Sequence, residues 1–169
     1  MHKVVTLLSL ALITISCFEK KENSSINPVI WEKRSVTTPL SVTLIQGATY
    51  LSIYSQIYSQ TEHITHDLTT TVSMRNTNEQ DTLYIESAKY FDTKGKLIRT
   101  YFDKPIYLQP LETVEIVIDQ QDQAGGTGAN FIFHWRASSK MSEPLFEGIM
   151  ISTYGQQGLS FTTQGKRIK

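Results

Sequence analysis

Phe131-Ile132-Phe133-His134-Trp135-Arg136 decides the fold class. Large rings take every second position, and Ile132, His134 and Arg136 fall between them. A period of two sends the two sets to opposite faces of an extended chain, so the stretch predicts a β-strand with one buried face. The same period continues upstream. Val114, Ile116 and Ile118 share a parity within residues 111–119, as do Leu68, Thr70, Val72 and Met74 within 68–76. Residues 83–91 start with Leu83 and Ile85 on one parity and end with Ala88 and Tyr90 on the other, which predicts a bulge near Glu86-Ser87. Asp92-Thr93-Lys94-Gly95-Lys96 then reads as a turn with glycine at a left-handed position, and residues 97–102 return as the hairpin partner.

Residues 50–58 read as one strand, with Leu51, Ile53 and Ile57 on one face and a stripe of Tyr50, Tyr54 and Tyr58 on the other. Pro105 and Pro110 bracket 106–108, a short edge piece. In 145–154, Phe146 and Met150 alternate with Leu145, Ile149 and Ile151. Both parities are apolar, so this strand is expected to be central or covered on both sides. Leu159 and Phe161 mark the last strand, and no segment carries a helical stripe. The expectation is an all-β chain: an immunoglobulin-like antiparallel β-sandwich of seven to eight strands.

Composition agrees. The 169 residues include 20 Thr, 16 Ser and 8 Tyr, a mixture that favours strands and turns. Lys+Arg and Asp+Glu are each 16, and without residues 1–16, which contain only Lys3 of these, the balance is 15 − 16 = −1. Nucleic-acid binding needs a basic face, so it is not expected. At 40% hydrophobic residues the chain has enough apolar material for a core, and its length suits one domain plus a tail.

The amino terminus reads as an address. His2 and Lys3 precede an apolar run from Val4 to Ile15, too short for a comfortable membrane span and suited to a signal peptide over residues 1–16. Cys17 is the only cysteine, so no internal disulfide is possible. Ile13-Thr14-Ile15-Ser16-Cys17 resembles a bacterial lipobox, with Thr14 where the pattern usually has Leu. That resemblance implies lipid on Cys17 and cleavage before it. Each buried methylene contributes about 0.8 kcal/mol, so several acyl chains would hold a soluble domain to a membrane. Phe18 rather than Asp after the cysteine favours the outer membrane, by resemblance to enterobacterial lipoproteins. Residues 17–35 read as a polar lipidated tether, with Trp31 a candidate to dock, and 36–169 as the sandwich. The expected location is the bacterial envelope: exported and membrane-anchored, at the periplasmic face or outer membrane.

Arg75-Asn76-Thr77, the turn at 90–97 and Leu108-Gln109-Pro110-Leu111-Glu112-Thr113 resemble small bacterial immunoglobulin-like accessory domains. Gly126-Thr127-Gly128-Ala129-Asn130-Phe131 with Trp135, followed by Gln156-Gln157-Gly158-Leu159-Ser160-Phe161, is more specific. It is similar to the bacterial domain-of-unknown-function family thirty-one twenty-four, over roughly residues 47–165. The resemblance implies an exported, often lipid-anchored β-domain, and supplies no catalytic residues.

Three features compete as sites. The glycine-rich stretch 125–130 offers amides that could cradle an anion, but it lacks the lysine and following helix of a phosphate loop. With the second glycine motif it defines a candidate binding surface of Gly126, Gly128, Asn130, Tyr154, Gln156, Gln157 and Gly158. His63, His66 and His134 form an alternative, metal-binding set, against the plainer reading of 63–66 as a solvated loop. The tyrosine stripe could meet a glycan or peptide, against simple packing. No Gly-x-Ser-x-Gly elbow is present, and Glu112 and Glu115 fall on opposite parities. The expected function is a non-enzymatic binding or accessory role without a cofactor; the alternative is a metal-binding protein or metal-dependent enzyme using the histidines. Its partners would be the membrane through Cys17 and an envelope protein or glycan.

Overall fold

A computed structural model describes residues 31–154 and 156–169. The signal segment 1–16, Cys17 and the tether up to residue 30 lie outside the described residues. The described residues form twelve strands: β1 Ile45–Ile53, β2 Gln56–Ser59, β3 Thr61–Asp67, β4 Thr69–Arg75, β5 Leu83–Phe91, β6 Leu97–Thr100, β7 Ile106–Leu108, β8 Thr113–Ile118, β9 Ala129–Ala137, β10 Leu145–Tyr154, β11 Gln157–Gln164 and β12 Lys166–Arg167. Two 3-10 segments, Trp31–Arg34 and Gln123–Gly128, complete it. The larger sheet runs β12-β1-β9-β5-β6, with β7 also on β5; the smaller runs β11-β10-β4-β8. Every pairing is antiparallel. The antiparallel sandwich read from the sequence is borne out, divided more finely than seven or eight strands.

The core lies between the two sheets. Phe131, Phe133 and Trp135 of β9 are fully buried. Rings stack from Tyr90 to Phe131 at 5.0 Å, on to Phe133 at 5.3 Å, and across to Phe146 of the smaller sheet at 4.3 Å. The Trp135 ring lies against the backbone of Gly47, where any Cβ would stand 2.1 Å from it, and its Nε1 donates to Thr49 Oγ1 at 3.0 Å. The bulge expected at Glu86-Ser87 is where the β5–β9 register shifts. Gly95 has φ 76°, as its turn requires.

Two local readings change. Residues 50–58 do not form one strand: β1 ends at Ile53, and Ser55 turns the chain so that its N–H meets Gly126 O while its own carbonyl accepts from Leu68 N–H. Tyr50, Tyr54 and Tyr58 therefore belong to β1, the break and β2, and Tyr54 packs edge-on against Phe161 at 5.7 Å. β10 is central, as its two apolar parities predicted, paired to β4 and β11, with Ile151 on its outer face 49% exposed. Hydrogen bonding on both edges, rather than cover on both faces, explains its place.

The body also begins earlier than residue 36. Trp31 is buried against Phe102 at 5.0 Å, and Ser35 bridges to Ile106. Arg34 Nη2 lies 2.7 Å from Glu112 Oε1, and Glu112 Oε2 accepts from Gln109 N–H at 2.8 Å. The Arg34 hydrogen bond holds the Glu112 carboxyl below its ordinary 4.5, against the opposing effect of partial burial. Because the folded value lies below the unfolded one, this contribution is present above about pH 4.5 and is lost as pH falls through the folded value. Glu112→Gln is expected to cost about 0.5–1 kcal/mol at neutral pH, and less as acid removes the charge from the parent. Urea unfolding at a series of pH values checks this; a difference that stays constant into acid contradicts the assignment.

Candidate functional site

One end of the sandwich gathers the elements the sequence marked. It is the end where β4 begins and β8 finishes. The hairpin of β2 and β3 forms its own two-stranded sheet there, mostly exposed, with Tyr58 60% and Ile64 46% accessible. An isolated two-stranded ribbon is marginal in water, so side chains must hold it. Asp67 does this. Its carboxylate accepts from Gln56 Nε2 at 2.8 Å and from Gln123 Nε2 at 2.9 Å, joining the hairpin to the glycine-rich segment.

The glycine segment is itself stapled down. Asp122, nearly buried, accepts from Ala124 N–H and from Arg99 Nη2 at 3.1 Å, and Arg99 Nη1 donates to Tyr101 Oη. Thr93, in the β5–β6 turn, donates from both its N–H and Oγ1 to Gly125 O, and its Oγ1 accepts from Gly128 N–H at 3.0 Å. Gly126 adopts φ 70°. The Gly128 amide is thus already engaged, so the segment is a folded plug rather than an open anion nest. Beneath it Tyr90 Oη and Ser55 Oγ lie 2.9 Å apart, fully buried. Burial pushes the Tyr90 hydroxyl up to about 12, while the Ser55 contact pulls the other way.

The candidate surface divides in two. Gly126 and Gly128 face the Thr93 turn of the larger sheet. Asn130 sits half-buried on β9, level with Ser52 and Phe91. Tyr154 ends β10, Gln156 lies in the turn, and Gln157 and Gly158 open β11, all on the smaller sheet; Gln156, Gln157 and Gly158 are exposed. A cavity of about 330 Å³ opens on this side, lined by Thr69, Gln120, Ser152, Thr153 and Ser160 with Gly158, Ile151 and Leu159. Gly128 does not line it, so the two glycine motifs share an end of the sandwich but not one cleft.

The histidines are not brought together. Residues 61–67 are strand rather than loop; His66 stands opposite Ile57, while His63 falls between Thr61 and Thr65, where the β2–β3 register shifts, so their spacing defines no ligand pair. His134 pairs across the larger sheet with Ser87, its Nδ1 3.1 Å from Ser87 Oγ. Among the described residues, no three His, Cys, Asp or Glu side chains are grouped for a metal. Thr93, Ser55, Gln120 and Thr69 were not marked as site residues by the sequence, and Asp67 was marked only as a neighbour of the histidine set. Thr93 is the one whose place the sequence signals, since it sits in the turn Asp92-Thr93-Lys94-Gly95-Lys96.

No curated protein matches the chain. The solved structure of Thermotoga maritima 1070 is similar at a TM-score of 0.46 and 7% identity, over 71% of this chain and 92% of that one. Residues 46–168, nearly all of the described body, match the family described as Protein of unknown function (DUF3124), and the chain belongs to that family.

Proposed function

We propose that this chain is a lipid-anchored protein of the bacterial envelope, with a non-enzymatic binding or accessory role carried by the end formed by the β2–β3 hairpin, the glycine segment and the β10–β11 turn. Residues 1–16 direct export, and lipid on Cys17 holds the chain at the membrane. One observation supports this arrangement above the others. The described chain begins beside the Arg34–Glu112 pair, where β4 finishes and β8 begins, at the opposite end from the candidate surface. Thirteen residues lie between Cys17 and Trp31, a reach of at most about 50 Å. An anchor on one end leaves the other directed away from the bilayer. The carboxylates nearest the surface, Asp67 and Asp122, are engaged in fixed hydrogen bonds, which suits a recognition surface better than acid–base chemistry.

Cys17→Ser is expected to move the protein from the membrane to the soluble fraction without changing its thermal unfolding. Retention of the mutant on membranes, with the signal segment removed, overturns the anchor. Photo-crosslinking in cells addresses the surface. A crosslinker at exposed Tyr58 should capture a partner, and one at Leu111, exposed near the Glu112 end, should not. Equal capture from both positions overturns the assignment of the binding end.

A further inference from the structure

Among the described glycines, Gly158 alone has neither a positive φ nor a neighbour within 4 Å of the position a Cβ would take. Gly47, Gly125 and Gly165 stand where a Cβ would collide with a packed neighbour, and Gly95 and Gly126 have left-handed backbone. Gly158 lies in β11 opposite Thr153, in extended chain with open space above it. Glycine weakens a strand, and in a strand it often marks a place that a ligand or another backbone approaches closely. The fold gains nothing visible from it here. The space it leaves belongs to the 330 Å³ cavity.

We propose that this cavity binds a neutral saccharide. Its lining carries no charged side chain. An ionic ligand would therefore lose its hydration without gaining a counter-charge. The hydroxyls of Thr69, Thr153 and Ser160, which share the outer face of the smaller sheet, each donate and accept, as sugar hydroxyls do. Gln120 adds an amide whose Nε2 is only 3.5 Å from the Asp67 carbonyl, a long contact that a ligand can replace. Ile151, 49% exposed on that same outer face, is aliphatic surface left uncovered beside these hydroxyls, whereas Leu159, opposite Ser152, belongs to the other face. That pairing fits the C–H face and hydroxyl rim of a pyranose ring. An acyl chain would strand the hydroxyls against hydrocarbon. The volume lies at the lower end for ligand cavities, about 300–1,000 Å³, and suits one or two rings.

This deepens the binding role proposed above and rests on it. The test titrates the full chain in detergent with cellobiose, maltose and N,N′-diacetylchitobiose, and with a glucuronate-containing disaccharide as charged control, followed by amide NMR shifts. At least one neutral sugar should shift the amides of Thr69, Ile151 and Ser160. Gly158→Val should weaken it about tenfold or more while leaving the melting temperature unchanged or higher. Ser160→Ala, on an exposed residue, should weaken it several-fold and carries the test if Gly158→Val fails to fold. Absence of shifts with all three neutral sugars at tens of millimolar overturns the proposal, as do preference for the charged sugar and undiminished binding by both variants. Partner capture through Tyr58 without sugar binding defeats the saccharide proposal alone. Sugar binding without Cys17-dependent membrane retention defeats the anchor alone.

Discussion

Phe133→Ala is expected to lower the unfolding free energy by about 3–5 kcal/mol, enough to threaten folding of a domain whose whole stability is about 5–15 kcal/mol. Phe133 is fully buried and is the ring through which the sheets meet. It stacks on Phe131 within β9 and on Phe146 of β10, the latter at 4.3 Å. Removing it deletes contacts on both sides and leaves a cavity bounded by rings held in two separate hydrogen-bonded sheets, which cannot easily collapse into the space. With one cysteine in the chain, no internal disulfide limits the damage. The comparison variant is Ile151→Ala on the outer face of β10, where about half the side chain is in water and the expected loss is below about 1 kcal/mol. Urea unfolding of both variants decides the matter. Similar midpoints for the two would mean that the aromatic stack is not what joins the sheets.

That stack was legible in the sequence because burial on one face of a strand writes a period of two, and Phe131, Phe133 and Trp135 write it plainly. Parity also located the bulge at Glu86-Ser87, since an added residue inverts the alternation. The period fails where the chain turns within an apparent run. Leu51, Ile53 and Ile57 keep one parity across residues 50–58, yet Ser55 breaks the strand between them because its backbone bonds to Gly126 and Leu68. Those partners are 71 and 13 residues away, and alternation carries no record of them. The candidate site shows the same division. Its glycines were visible as residue types, but the staples that shape them come from Thr93, Asp67 and Asp122, ordinary polar residues whose roles depend on which turns meet. Likewise His63 and His66 suggest a pair only while their segment is taken for a loop. Once it is strand with a register shift at His63, a spacing of three no longer carries that meaning.

Gly125→Ala tests whether the glycine segment is a folded plug, and its expected cost is about 2–6 kcal/mol. An added Cβ would lie 2.0 Å from Tyr90 Oη and 2.8 Å from both Ser55 Oγ and the Ala129 Cβ. None of these can yield without loss. Tyr90 is fully buried and stacked on Phe131 at 5.0 Å, so moving its hydroxyl moves the core ring. Overpacking of this kind costs about 1–3 kcal/mol. Separating Tyr90 from Ser55 adds about 1–3 kcal/mol, because both oxygens are then buried without a partner. Tyr90→Phe alone removes the colliding oxygen and leaves only Ser55 Oγ unsatisfied, at about 1–2 kcal/mol. The double variant Gly125→Ala/Tyr90→Phe should therefore be less destabilised than the sum of the singles, by more than about 1 kcal/mol. The wild-type hydroxyl has its own signature. Its folded value of about 12 lies above the ordinary 10, so its contribution to stability is present below pH 10 and is lost as pH rises from there through 12. Tyr90→Phe should flatten that alkaline limb, read by urea unfolding between pH 9 and 11. Strict additivity in the cycle would mean that Gly125 does not press on Tyr90, and that the segment is free of the core beneath it.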